Sequence, residues 1–262
     1  MNETSAMRTG TAGSTLPLRR VLAQTRFETV TVLRNGEQLL LAVILPLIAL
    51  FALSRTSILA SLGGADAAAG GADAAQTATA GVLGLAVAST AFTGQGIQTA
   101  FDRRYGVLRQ LATTPLGAGG VIAGKLGAVL CVLSVQTLLV LGCAAALGFS
   151  AAPVSWPGLV LSLLAGAAAL VAWGVLMAGT LRPEATLAVA NLLWVLMAAA
   201  GGLVLARDGV WGTVVGLLPP GALGDALRSA VTAGTVDWAS LAILLLWALL
   251  GGLAARRWFS FD

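Results

Sequence analysis

Two consecutive stretches decide the fold: Val121–Gly148, VIAGKLGAVLCVLSVQTLLVLGCAAALG, and Pro157–Leu181, PGLVLSLLAGAAALVAWGVLMAGTL. The first carries one charged residue, Lys125, near its start, and the second carries none. Hydrocarbon about 30 Å thick is crossed by about 20 mostly apolar residues in a helix. Both stretches exceed that length, so they predict two consecutive membrane crossings joined by a short link.

Working outward, four more stretches qualify. Gln38–Ser57 (QLLLAVILPLIALFALSRTS) contains Pro46 as a kink point, and Ala78–Phe101 is the most polar of the set. Ala185–Ala206 and Trp238–Ala255 complete six. The expected fold is therefore an all-α polytopic membrane protein with six transmembrane helices. Composition agrees: of 262 residues, 58% are hydrophobic and only 10% charged, with mean hydropathy +0.91. A soluble domain of this size cannot hide so much apolar surface behind so few charges, and disorder needs the opposite composition.

The charges report orientation. With the amino terminus inside and six crossings, the inner segments hold twelve basic residues; only Arg55, Arg207 and Arg228 fall outside. The positive-inside rule then places both termini in the cytoplasm, in a multi-pass protein of the cytoplasmic membrane. The net charge of +4 is thereby explained as topology, and nucleic acid is not an expected partner. All but one of the basic residues are Arg, beside abundant Ala, Gly and Val, a bias that fits a GC-rich bacterial genome.

Three segments lie outside the spans. Residues 1–17 are polar and rich in Gly, Ser and Thr, which predicts a disordered cytoplasmic tail rather than a signal peptide. Residues 18–37 place Leu18, Val21, Leu22, Val32 and Leu33 on one helical stripe with Thr25 and Thr29, a helix lying in the membrane interface and touching lipid. A soluble linker helix is the alternative. Residues 38–262 form the six-span domain, and within it 207–236 contains VWGTVVGLL, Pro219-Pro220 and GALGDALRSAVTA. Short apolar halves around a break predict a re-entrant helical hairpin on the outer side, with an ordinary extracellular loop as the alternative. Asp225 and Arg228, three apart, are placed to pair on one helix face.

Missing residue types exclude several chemistries. The chain has no histidine, which removes Ser–His catalysis and the commonest metal ligand. The eleven acids are scattered mostly through loops, so no catalytic residue and no metal site is expected. No GxxxxGK[ST] phosphate loop occurs, so an active transporter of this sequence needs another polypeptide to supply energy. Arg55 and Lys125 are read as snorkelling near interfaces, which leaves no buried carboxylate for proton or sodium coupling. Cys131 and Cys143, twelve residues apart in one helix, lie roughly 18 Å apart and cannot pair; they read as small buried apolar side chains.

Uncharged polar residues concentrate in the second span. Thr90, Thr93 and Gln98 fall near one face there, Gln95 lies about 160° from Thr93, and Asn191 and Trp194 sit three apart in the fifth span. Polar groups in lipid need partners, so these six either line a substrate route or hydrogen-bond between helices. An uncharged route predicts a hydrophobic or amphipathic substrate.

The inner loop 102–118 carries the most specific signal. Val107, Leu108 and Leu111 are apolar, Arg104, Arg109 and Gln110 are polar, and Pro115 stops the short helix. A surface-held amphipathic helix is a suitable handle for a cytoplasmic partner. The run Asp102-Arg103-Arg104-Tyr105-Gly106-Val107-Leu108, followed by Leu111 and Thr114-Pro115-Leu116, resembles the coupling loop of type-2 ABC exporter permeases. Asp102 stands where that family more often has Glu, and Val107 where it usually has Thr. Leu218-Pro219-Pro220 followed by Leu223 to Arg228 resembles its segment before the last span.

The resemblance covers almost the whole chain and implies the non-catalytic membrane subunit of an ATP-binding cassette exporter for a drug, lipid or glycolipid. It implies two copies of a separate ABC ATPase subunit, which holds the ATP and Mg, and a second copy of this permease or a related one. ATPase coupling would fall to Asp102, Arg103, Arg104, Tyr105, Gly106, Leu108, Arg109, Leu111 and Pro115, together with the interface helix. The second and fifth spans would face the dimer axis, with Pro219, Pro220, Asp225 and Arg228 at an outer gate. An ATPase-independent carrier, channel or scaffold is the alternative function.

Overall fold

The computed structural model describes residues 17–34, 36–55, 72–112, 117–206 and 209–258, with the side chains of all but 17, 36–42, 55, 72–73, 109, 111–112 and 117–119. Among these the chain is helical, with no strand. The elements are α1 (Pro17–Arg34), α2 (Gly36–Arg55), α3 (Ala72–Val87), a π-helical segment (Ala88–Gly94), α4 (Gln95–Arg104), α5 (Val107–Ala112), α6 (Gly117–Ala146), α7 (Trp156–Thr180), α8 (Pro183–Ala199), α9 (Gly209–Gly216), α10 (Pro219–Val231) and α11 (Trp238–Trp258). The expected tail lies outside the described residues except for Pro17, which opens α1.

Four helices are long and apolar enough to cross a membrane: Ala74–Arg104, Gly120–Ala146, Trp156–Thr180 and Trp238–Trp258. Two shorter apolar helices, Val43–Ser54 and Pro183–Ala199, accompany them. The protein is transmembrane in character. The fifth apolar run therefore gives a helix of 17 residues, shorter than the stretch to Ala206 predicts. The reason is local: Gly202 adopts φ +71°, a conformation costly for residues with a Cβ, and the chain leaves the helix after Ala199.

Sequence chemistry sets the other ends. Ser155 caps α7, its hydroxyl accepting from the Gly158 N–H at 3.3 Å, with Pro157 in the first turn. The helix stops at Thr180 because Pro183 begins α8 two residues after Leu181. Asp237 accepts from the Ser240 N–H and hydroxyl at the start of α11. Trp156, Trp211, Trp238 and Trp258 are exposed near helix ends, as interfacial tryptophans are.

α7 is the central helix. It packs against α4, α10, α11 and the π segment, and its buried side is built of small residues. A Cβ at Gly174 would lie 2.8 Å from the Phe92 carbonyl oxygen, and one at Gly166 would strike the Leu223 side chain. Without a hydrophobic drive between helices in lipid, this close backbone approach supplies the association. α11 runs parallel to α7, since Trp238–Leu245 face Leu161–Ala168 and Trp247 meets Trp173 further along. Between them Leu161, Leu164, Ala165, Ala168, Trp238, Leu241, Ala242 and Leu245 line an apolar groove of about 330 Å³.

α10 is too short to cross but is buried, with Ala222, Leu223, Ala226, Leu227, Ala230 and Val231 enclosed against α3, α7 and α11. Gly221 and Gly224 admit the Val215 and Gly202 carbonyls at positions where a Cβ would meet them at 2.1 and 2.3 Å. At the same end Gln76 of α3 donates to the carbonyls of Ser150 and Val231 and accepts from the Ser150 N–H, each at 3.0 Å. One buried amide thus ties α3 to the α6–α7 link and to the end of α10.

Two readings of side-chain placement need correction. Cys131 and Cys143 are exposed on α6, not buried, because α6 turns Val135, Leu138 and Leu139 outward along the same side. Lys125 does not snorkel: it is wholly enclosed.

Candidate functional site

Lys125 organises one end of the bundle. Its ammonium lies 3.1 Å from Glu28 Oε1 on α1 and 3.0 Å from Asp102 Oδ2 near the end of α4. Gln24 donates to Glu28 Oε1 at 3.0 Å, and Gln98 of α4 donates to Glu28 Oε2 at 2.9 Å. Taking an ammonium and two carboxylates out of water costs several kcal/mol per ion, so such groups persist buried only when paired and hydrogen-bonded. Here the pairing locks three elements, α1, α4 and α6, at a common point.

The same contact fixes which residues of α1 pack inward. Gln24, Glu28 and Val32 are buried, Val21, Thr25 and Thr29 half-buried, whereas Leu18, Leu22 and Leu33 are exposed. The helix presents its polar side to α6, which admits it through Gly124 and Gly127: a Cβ at either would meet the Gln24 or Thr25 side chain at 2.5 Å. Glu28 meets its counter-ion there, since among the described residues Lys125 of α6 is the buried cation. The expected apolar stripe splits, with Val21 and Val32 turned in and three leucines turned out.

Beyond the cluster, α4 ends and the chain turns. Arg103 donates to the Leu181 carbonyl at 2.6 Å, tying the turn to the α7–α8 link, and Arg104 pairs with Glu184 at the start of α8. Tyr105 is 73% exposed and stacks on Phe101, and Gly106 takes φ +75°, the left-handed value that closes the turn into α5. Leu108 is buried beneath α5, and Gln110 is exposed. The side chains of Arg109 and Leu111, and Pro115 itself, lie outside the described residues.

The polar residues of the helix Ala74–Arg104 separate by neighbour. Thr90 donates to Gln136 Oε1 of α6 at 3.1 Å, and Gln98 faces Glu28. Buried Thr93 Oγ1, Gln95 Oε1, Gln98 Oε1, Thr99 Oγ1 and Trp194 Nε1 have no hydrogen-bond partner. Asn191 lies on the exposed side of α8, while Trp194 is half-buried. Ser89, Thr90, Thr93 and Gln98 share half-exposed positions along one side of a helix that is otherwise mostly enclosed. The π segment lies in the middle of this run; such segments are rare and frequent at functional sites.

At the opposite end, Arg228 pairs with Asp225 at 2.6 Å and donates to the Gly202 carbonyl at 2.9 Å. Pro219 and Pro220 open α10, and Pro220 is buried. This set braces α10 against the end of α8, well apart in the chain from the lysine cluster.

Glu28, Gln24 and Gln136 were not among the site residues expected from the sequence, and Lys125 was read only as snorkelling. A signal exists: Gln24 and Glu28 fall on the face that also carries Thr25, Thr29 and Val32, and Lys125 is the one lysine of the chain, inside an apolar run. No family model matches this chain, and no curated protein matches it.

Proposed function

We propose that this chain is the membrane subunit of an ATP-binding cassette exporter, handling a hydrophobic or amphipathic substrate while a separate ATPase supplies the energy. One observation carries the reading: the turn at Tyr105–Gly106 and the helix α5 stand on a base fixed by the ion pairs of an enclosed lysine, with Tyr105 projecting outward. A rigid, surface-presented short helix suits transmission of force from a partner to the second span. The half-exposed polar side of that span, with its unspent hydrogen-bonding atoms, would face the route or the second permease copy. In this reading α2 and α8 are the remaining two crossings, α9–α10 form the outer re-entrant pair, and both termini are cytoplasmic. The test is co-purification from native membranes: an ATP-binding subunit should accompany the chain, and charge reversal at Arg103 and Arg104, or Gly106→Pro, should weaken the association without loss of insertion. Survival of the intact, ATPase-coupled complex through all three changes would remove the role of the loop.

A second reading is favoured by the lysine cluster itself. Composition argued against ion coupling on the ground that no buried carboxylate was available, and Glu28 is one. An ATPase-independent carrier coupled through Glu28 or Asp102 is therefore the competing function. Transport by purified chain in vesicles under an imposed pH gradient, abolished by Glu28→Gln, would decide for it; transport that requires ATP and a second polypeptide decides for the exporter.

A further inference from the structure

Lys125 and Gln136 stand eleven residues apart on α6, which places them within about 20° of one another and about 16 Å apart along its axis. Both meet the helix Ala74–Arg104: Lys125 pairs with Asp102 at 3.0 Å, and Gln136 accepts from Thr90 at 3.1 Å. In an unbroken α-helix, twelve residues would leave Thr90 and Asp102 about 120° apart. Most of the π segment Ala88–Gly94 lies between them, and its wider turns bring both onto the side facing α6. Between these two contacts Gln95, Gln98 and Thr99 fall within about 60° of Asp102. Gln95 Oε1, Gln98 Oε1 and Thr99 Oγ1 are enclosed and have no hydrogen-bond partner. On the α6 face between Lys125 and Gln136 stand Ala128, Val129 and Val132, all buried and none able to hydrogen-bond through its side chain.

We infer that a file of water molecules enters between α4 and α6 beside Asp102 and reaches the Thr90–Gln136 pair, a depth of half the roughly 30 Å of hydrocarbon. Burial sets the occupant. Gln95 and Thr99 are only 3% and 1% exposed within the single chain, so neither a second copy nor a bulky substrate reaches them. Only a molecule of water's size fits between helices packed this closely. Water also suits the groups: each amide oxygen accepts from it, the threonine hydroxyl donates or accepts, and a buried water typically makes about three such bonds. Asp102, with 22% of its side chain accessible, marks the mouth. Beyond Gln136 the path closes, because α6 buries Val140 and Ala144 there and α3 buries Val82, Leu83 and Ala86 in the apolar core. The result is a blind inlet, wet from one side, rather than a pore. It needs the transmembrane character of the chain and neither transport reading.

Water-edited solid-state NMR of the full chain in lipid vesicles, with glutamine side-chain amides and tryptophan indoles labelled with ¹⁵N, tests the inlet. Each glutamine peak is assigned by its loss in the corresponding Gln→Leu variant. Magnetisation from water should reach the Gln95, Gln98 and Gln136 amides at a rate comparable with Gln110, which is exposed. The indole N–H of Trp173, held against the Trp247 carbonyl between α7 and α11, is the dry reference. Gln95→Leu with Thr99→Val keeps the shape and removes the polar groups midway along the path. In that variant Gln136 should lose the transfer while Gln98, nearer the mouth, keeps it. If the double variant fails to fold, Gln95→Met and Thr99→Val singly make the same measurement. Three results overturn the inference: Gln95 or Gln136 as slow as Trp173, Gln136 undiminished in the folded variants, or Gln98 losing transfer while Gln136 keeps it, which puts the entrance at the other end. No ATPase or substrate is used, so failure here is distinct from failure of either transport reading.

Discussion

Lys125 reaches across to Glu28 at 3.1 Å with neither side chain open to solvent, and this pair links the amino-terminal helix to α6. Removing one member of a buried pair leaves the other charge uncompensated, which costs about 3–5 kcal/mol. Lys125→Met should therefore lower the melting temperature in detergent strongly. Lys125→Met combined with Glu28→Gln and Asp102→Asn removes the charges together and should recover most of the loss. A triple variant as unstable as the single one would show that shape, rather than charge balance, holds the joint.

Gly174 admits the Phe92 carbonyl where a Cβ would stand 2.8 Å away, so Gly174→Ala must push the π segment off α7. Overpacking of this kind costs about 1–3 kcal/mol. Gly142→Ala is the control, because nothing lies within 4 Å of its added Cβ, and there the better helix propensity should leave stability equal or raised by up to about 1 kcal/mol. Thermal unfolding of the two variants side by side decides it. Equal behaviour would argue that the α7 contact yields freely.

Long apolar runs made α7 and α11 readable to within a few residues, because lipid demands a continuous apolar helix and leaves little else for such a run to be. The short helix after Gly106 was also legible, from apolar Val107, Leu108 and Leu111 set among polar residues. The π segment was not: its extra residue per turn leaves no mark in hydrophobic periodicity and depends on how closely Gly174 lets Phe92 approach. The end of α8 was hidden by apolar residues continuing past Gly202. The lysine cluster escaped because Glu28 and Lys125 lie far apart in the chain, and α1 was read as an isolated amphipathic helix. Reading it as a helix in the membrane interface left open which of its residues meet α6, and Gln24 and Glu28 are the ones that do.

Thr90 and Thr93 separate structure from function within the helix Ala74–Arg104. Thr90 donates to Gln136, so Thr90→Val should cost about 1 kcal/mol of stability. Thr93 Oγ1 has no partner, so Thr93→Val should be neutral or mildly stabilising. If the half-exposed polar side lines the route, Thr93→Val should nonetheless change substrate-stimulated ATP hydrolysis in the assembled complex. A variant silent in both stability and transport would return Thr93 to an inert packing position.

Arg104 and Glu184 make an exposed pair, with side chains 50% and 66% accessible, and exposed pairs contribute only about 0–1 kcal/mol. Arg104→Glu should accordingly leave the melting temperature nearly unchanged. It also places two like charges side by side where the turn meets α8, and it reverses the sign of the surface beside Tyr105. The exporter reading therefore expects Arg104→Glu to weaken ATPase association at unchanged stability. Adding Glu184→Arg restores the pair but not the original arrangement of charge facing a partner. If the double variant recovers association fully, Arg104 acts by fixing the turn against α8. If it does not, the arginine itself is read by the partner. Measuring co-purified ATPase for the single and double variants, with melting temperature as the reference, distinguishes these outcomes, and a single variant that binds normally removes Arg104 from the interface.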